Sequence, residues 1–147
     1  MNILIDTGFW YAFYDDSDEH HDKAIQMMPY LERHKILIPY PSLYETINTR
    51  FSKRKNWMSS FRSLMNSSTC VLIHDENYKE DTLKMTFCTS LDNKRPISLV
   101  DMVIRQMLDD VNLKTDAIVT FNPEDFYDVC LRKNKIMIHD LNMANAI

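Results

Sequence analysis

Apolar residues in this chain fall into short runs separated by longer stretches of helical spacing. The runs at Asn2–Ile5, 36–38, Cys70–Ile73, 117–120 and Ile136–Ile138 are short and apolar at successive positions. Strands of that kind are covered on both faces, as parallel strands between helices are. Between them the spacing predicts helices over 8–14, 20–34, 42–55, 57–67, 77–92, 98–110 and 123–133. Residues 141–147 read either as a tail or as a short closing helix. Strands alternating with helices imply an α/β domain with a central, mostly parallel sheet of about five strands. Trp57, Phe61 and Leu64 recur at helical spacing and belong to the core or to a subunit face.

The chain has 147 residues, which suits one domain over 1–147 able to bury a core without disulfides or structural metal. Its three cysteines are far apart, with no C-x-x-C spacing. With no signal sequence in front of Asp6, that points to free thiols in the cytoplasm. No apolar run approaches the roughly 18 residues that a membrane span needs. The net charge is −4, so a polyanion would have to be gripped locally and not through bulk charge. A single glycine excludes both G-x-G-x-x-G and the P-loop, and with them the common nucleotide cofactors.

Four acids recur where an apolar strand hands over to a helix. Asp6 ends the first run, Glu45 follows the second after a Pro-Tyr-Pro turn, Asp101 opens a helix, and Asp125 follows the fourth run. In a parallel sheet these addresses lie along the edge where such folds keep their ligand crevice. Carboxylates about 4 Å apart at an effective dielectric near 20 repel by roughly 4 kcal/mol per pair. A cation among them would relieve that repulsion.

Three of the acids also fit helix-cap grammar. Ser42-Leu43-Tyr44-Glu45 and Ser98-Leu99-Val100-Asp101 match S-x-x-[DE], and Asn122-Pro123-Glu124-Asp125 places a capping Asn before a first-turn proline. Asp6 has no capping-box partner. Capping and metal ligation are compatible, because a helix N-terminus favours the ionised form that a ligand must be. Asp116 enters its strand at the opposite end, while Asp15, Asp16, Asp18 and Glu19 read as a solvated loop. Asp109 and Asp110 close a helix at the surface.

Rival chemistries fare worse. Asp6-Thr7-Gly8 spells the D-T-G of aspartic proteases, but here one copy leads into a helical pattern. A haloacid-dehalogenase phosphatase needs a second aspartate where Gly8 stands. His74-Asp75 and His139-Asp140 lack the upstream histidines of metal phosphohydrolases, and His20-His21, adjacent on a helix, share no face.

Taken in order, the four acidic strings resemble those of the PIN-domain family of metal-dependent nucleases, in particular the VapC-like bacterial toxins. Asp6-Thr7 resembles the first acid with its small hydroxyl neighbour, Tyr44-Glu45 the second motif, and Ser98-Leu99-Val100-Asp101 the third. Thr120-Phe121-Asn122-Pro123-Glu124-Asp125-Phe126 is similar to the T-x-N-x-x-D-F signature and is the most specific of the four. The resemblance implies a three-layer α/β/α sandwich and a ribonuclease, possibly a toxin. It implies Asp6, Glu45, Asp101 and Asp125 around one or two Mg²⁺ or Mn²⁺ ions. Thr7, Ser98, Thr120 and Asn122 would orient those ligands. An RNA substrate, a homodimer and a cognate antitoxin are the partners it implies. For Arg50, Lys53 and Arg54 two readings stand, a favourable helix C-terminus or contact with the RNA backbone; Lys94 and Arg95, just before Asp101, are further backbone candidates. The competing class is a PIN-like module that holds RNA or protein and cleaves poorly.

Overall fold

A computed structural model of the protein describes residues 1–92 and 96–147. Among the described residues the strands are β1 (Asn2–Ile5), β2 (Lys35–Pro39), β3 (Cys70–Ile73), β4 (Ala117–Val119) and β5 (Ile136–Ile138). They form one sheet in the order β3-β2-β1-β4-β5, and every neighbouring pair is parallel. Successive strands must therefore be joined by crossovers, which the helices supply.

Side chains alternate across this sheet with a period of two. Ile3, Ile5, Ile36, Ile38, Ala117 and Val119 point to one core, shared with residues of α1 (Thr7–Tyr14), α2 (His21–Leu31), α5 (Lys55–Met65) and α9 (Leu141–Asn145). Leu4, Leu37 and Ile118 point the other way, onto α7 (Leu99–Asp109) and α8 (Tyr127–Lys133). The result is a three-layer α/β/α sandwich. Full burial of each such aliphatic side chain contributes about 1.5–3 kcal/mol. The first core is also aromatic: the Phe61 ring lies 5.1 Å from Trp10 and 5.7 Å from Phe51. Trp57 and Leu64, the other members of that spacing, pack against the same core while partly exposed.

Several boundaries move for identifiable reasons. The helix expected over 42–55 is two: α3 (Tyr40–Thr46) and α4 (Thr49–Ser52). Asn48 separates them, its side chain accepting from the backbone N–H of Arg50 (3.0 Å) and Phe51 (3.2 Å). The segment 123–133 also divides, into a 3₁₀ turn (Pro123–Asp125) and α8. Residues 141–147 do close with a helix, α9, capped by Asp140. The helix expected over 77–92 is α6 (Lys79–Leu91), which is mostly exposed and buries only Thr82. Left-handed backbone occurs at Lys114 and Asn134, neither of them glycine, while Gly8 sits inside α1.

Truncating the aromatic core should cost much more than trimming α6. Phe61→Ala should lose about 3–5 kcal/mol. Leu91→Ser, at a side chain 77% exposed, should stay within roughly 0.5 kcal/mol. Urea unfolding measures both, and equal losses would contradict the assignment of Phe61 to the core.

Candidate active site

Strand order reverses direction of growth at β1, which has β2 on one side and β4 on the other. The carboxyl ends of β1 and β4 thus frame the crevice in which such sheets bind ligands. Asp6 sits there. Its N–H donates to the Val119 carbonyl (3.0 Å), extending the β1–β4 ladder by one bond. Its Oδ1 accepts from the Thr7 N–H (2.7 Å) and its Oδ2 from the Thr120 hydroxyl (2.9 Å). Asp6 is therefore the N-cap of α1, so the view that it stood outside helix-cap grammar is corrected.

The other cap expectations divide. Ser98 caps α7 as expected: its Oγ accepts from the Asp101 N–H (3.0 Å) and donates to Asp101 Oδ2 (2.7 Å). Ser42 makes no cap. With prolines at 39 and 41, α3 starts at Tyr40, leaving Ser42 Oγ buried without a partner and Glu45 in the last turn. The helix dipole there disfavours the Glu45 carboxylate, opposite to the expectation for a first-turn acid. Asn122 does not cap its turn either; its amide donates to Asp125 Oδ2, and its N–H to Thr120 Oγ1 (2.9 Å). Each of Thr7, Ser98, Thr120 and Asn122 thus lies beside an acid. Thr7 Oγ1 is buried with no partner at hydrogen-bonding distance, although it stands near enough to Glu45 to lower that carboxyl's pKa.

The four acids feel one another. Asp6, only 7% exposed, is pushed from 3.8 up to about 7, first by burial and then by the charge of Asp101, with Glu45 adding to it. Burial and Asp101 also raise Glu45. Asp101 is raised by burial and by Asp125, and Arg105 partly offsets this. The set offers only oxygen donors, the buried member is poorly solvated as an anion, and an unpartnered hydroxyl lies beside it. Those features fit a hard cation. Among the described residues, however, no three acidic, histidine or cysteine side chains gather tightly enough to form a ready-made cage.

Two networks brace the site from residues that patterning along the chain does not single out. Arg105 donates to both carboxylate oxygens of Asp128 (2.6 Å each) and to the Asp125 carbonyl, fixing the 3₁₀ turn against α7. Its position four residues after Asp101, on the same helix face, was the available signal. Tyr11 donates its hydroxyl to the Glu45 carbonyl (2.6 Å), and Asn48 donates to the same atom (3.0 Å), pinning the end of α3.

The cationic candidates are dispersed. Arg50 pairs with Asp15, which is buried and accepts from Ser17, so Asp15 is not part of a solvated face. The guanidinium of Arg54 lies over Trp57 (5.1 Å), and Lys53 is exposed. These cations belong to α4 and its junction with α5, not to the helix of Glu45. Lys94 and Arg95 lie outside the described residues. Asp116 is at the opposite sheet edge, bonded to the Asn2 N–H (2.7 Å). The cysteines are free, and no helix among the described residues is long and apolar enough to cross a membrane.

No protein-family model matches the chain, and no curated protein is similar to it in sequence. Among solved structures, VapC20 of Mycobacterium tuberculosis, a sarcin-ricin loop cleaving toxin, has a similar fold. The TM-score is 0.64, over 86% of this chain and 94% of that one, at 16% identity. The fold is PIN-like. At that identity the likeness extends to architecture, and the chemistry has to be argued from the residues themselves.

Burial of Asp6 has a signed consequence for stability. Its pKa is higher folded than unfolded, so the folded chain holds a proton that the unfolded chain releases between about pH 4 and pH 7. Stability from this group should fall as pH rises through that window, by at most about 4 kcal/mol. Glu45 and Asp101 act in the same direction. Asp109, Asp110 and Asp128 have lowered values and act oppositely, through stability lost as pH falls below about 4. Urea unfolding in EDTA should therefore show Asp6→Asn gaining on wild type from about pH 5 to about pH 8. A constant difference between the two proteins would argue against the buried, repelled Asp6.

Proposed function

We propose that this chain, acting as one domain, is a divalent-metal-dependent ribonuclease that hydrolyses RNA phosphodiester bonds as the toxin of a toxin–antitoxin pair. The observation that carries this reading is the state of Asp6, a buried carboxyl in the sheet's crevice whose ionisation is opposed by Asp101 and Glu45. A PIN-like fold shared with a toxin that cleaves the sarcin-ricin loop supports it.

In this reading Asp6 and Asp101 are the principal ligands of Mg²⁺ or Mn²⁺. Asp125 completes the set, and Glu45 binds through water or orients the attacking water. When bound, such an ion lowers the pKa of a water and stabilises charge on the leaving oxygen. Mg²⁺ commonly keeps several of its waters, so the acids need not close into a tight cage to hold it.

The chain's own groups prepare this chemistry. Thr120 and the Thr7 N–H fix both oxygens of Asp6, Ser98 orients Asp101, and Asn122 orients Asp125. Glu45, made more basic by burial and by Asp101, is placed to take a proton from the attacking water. Arg50, Lys53, Arg54, Lys94 and Arg95 are the cations we assign to the RNA backbone. A homodimer and a cognate antitoxin complete the assembly we expect; Leu83, Phe87 and Leu91, four residues apart on exposed α6, offer apolar surface for a second copy.

One observation favours a second reading. The absence of a ready-made cage among the described residues suits a PIN-like module that binds RNA or protein and cleaves weakly.

Purified protein should cleave RNA with Mn²⁺ or Mg²⁺ and stop with EDTA. Asp6→Asn and Asp101→Asn should stay folded and lose cleavage, and Thr120→Val should lose about 10–100-fold. RNA binding without metal-dependent cleavage would select the second reading; undiminished cleavage by both Asn variants would end the first.

A further inference from the structure

A small pocket opens next to the acids, between α3, α7 and the start of α6. It holds about 180 Å³ and is lined by Pro41, Tyr44, Asp75, Lys79, Leu99 and Val103 among others. Two of its walls continue directly into the site. Tyr44 precedes Glu45 on α3, and Leu99 lies two residues before Asp101 on α7. Drug-sized ligands usually occupy about 300–1,000 Å³, so this pocket suits something smaller and flat.

Its aromatic wall is unusually open for a tyrosine next to a buried cluster: Tyr44 is 64% exposed. Tyr44 continues into a short ladder, with its ring centroid 6.0 Å from Tyr40, which in turn stacks on His74 at 4.7 Å and 28°. Exposed aromatic faces of this kind bind unstacked bases, and they do so without a basic surface. An acidic chain of net charge −4 has particular need of that mode, since bulk phosphate attraction is denied to it.

The polar lining narrows the ligand. A carboxylate only accepts hydrogen bonds and an ammonium only donates them. Neither Asp75 nor Lys79 forms an ion pair with a described residue, so both are open to a ligand. Guanine is the base whose Watson–Crick edge presents two adjacent donors, N1–H and N2–H, beside an acceptor, O6. Cytosine and adenine present a donor beside an acceptor, and uracil a single donor between two acceptors. We propose that the pocket between Tyr44, Asp75, Lys79 and Leu99 is a guanine subsite that sets the base preference of the neighbouring acidic site. Tyr44 and the apolar floor sandwich the ring, Asp75 accepts from N1–H and N2–H, and Lys79 donates to O6. This rests on the ribonuclease reading for its biological use, but not for the binding itself.

The test uses the full chain in EDTA, titrated with GMP, AMP, CMP and UMP and followed by NMR chemical shifts. GMP should bind at least about fivefold more tightly than the other three. Tyr44→Ala should weaken GMP by about fivefold or more, and Tyr44→Trp should restore it. Asp75→Asn should erase the preference while leaving the fold intact, because it is the Asp75 backbone carbonyl, not its side chain, that starts α6. Equal binding of all four nucleotides, or a GMP preference that survives Asp75→Asn, overturns the proposal. So does absence of binding in a protein that still cleaves RNA with Mn²⁺, in which case the pocket is left to an apolar side chain of a protein partner. GMP preference in a protein that cleaves no RNA upholds the subsite and refutes the nuclease reading.

Discussion

The packing of β1 against β4 forces a carboxyl group into a place where its charge is poorly solvated, and much of the molecule is arranged around that fact. Asp6 is carried past the end of β1 by one further ladder bond, to Val119, so it cannot move toward water without breaking the sheet. Its two oxygens are tied to Thr7 and Thr120. Three more acids reach the same edge from α3, α7 and the 3₁₀ turn, and at least Asp101 and Glu45 raise its proton affinity further. A fold that depended only on its two cores would place no carboxyl there. The repulsion is tolerated because the surrounding elements are each fixed independently, α7 by Ser98, α3 by Tyr11 and Asn48, and the turn by Arg105.

Thr120 has a special place in this arrangement. Its hydroxyl donates to Asp6 and accepts from the Asn122 N–H, while the Asn122 amide holds Asp125. Two acids from opposite ends of the chain are thereby joined through three consecutive residues after β4. The motif Thr-Phe-Asn-Pro-Glu-Asp-Phe is, in physical terms, a short relay of hydrogen bonds terminated by Phe126, which is fully buried in the core of α7 and α8.

The parts of this architecture legible along the chain were those set by local pattern. Strand positions and the parallel sheet follow from short runs apolar on both faces, and Ser98–Asp101 follows from a cap that needs no distant partner. The misreadings share a cause. Ser42 matches a capping signature, yet the prolines on either side of Tyr40 set the start of α3 earlier, and a local steric rule overrode a local hydrogen-bonding one. Asn48 ends a helix that periodicity alone would continue. Asp15 and Arg105 find partners 35 and 23 residues away, Arg50 and Asp128, and spacing carries no information about contacts of that range. The same holds for the pocket beside Tyr44, whose walls come from four separate segments.

The scarcity of glycine, noted at the turns, bears on how such a site is sustained. Lys114 and Asn134 adopt left-handed backbone without the residue best suited to it, and the one glycine, Gly8, lies in a helix where an added Cβ would meet nothing closer than Asp6 Oδ2 at 3.9 Å. A chain so poor in glycine explores fewer backbone states when unfolded, and so surrenders less entropy on folding. Part of the free energy that keeps four like charges at one sheet edge then arises in the disordered ensemble, where no contact map of the native protein would reveal it.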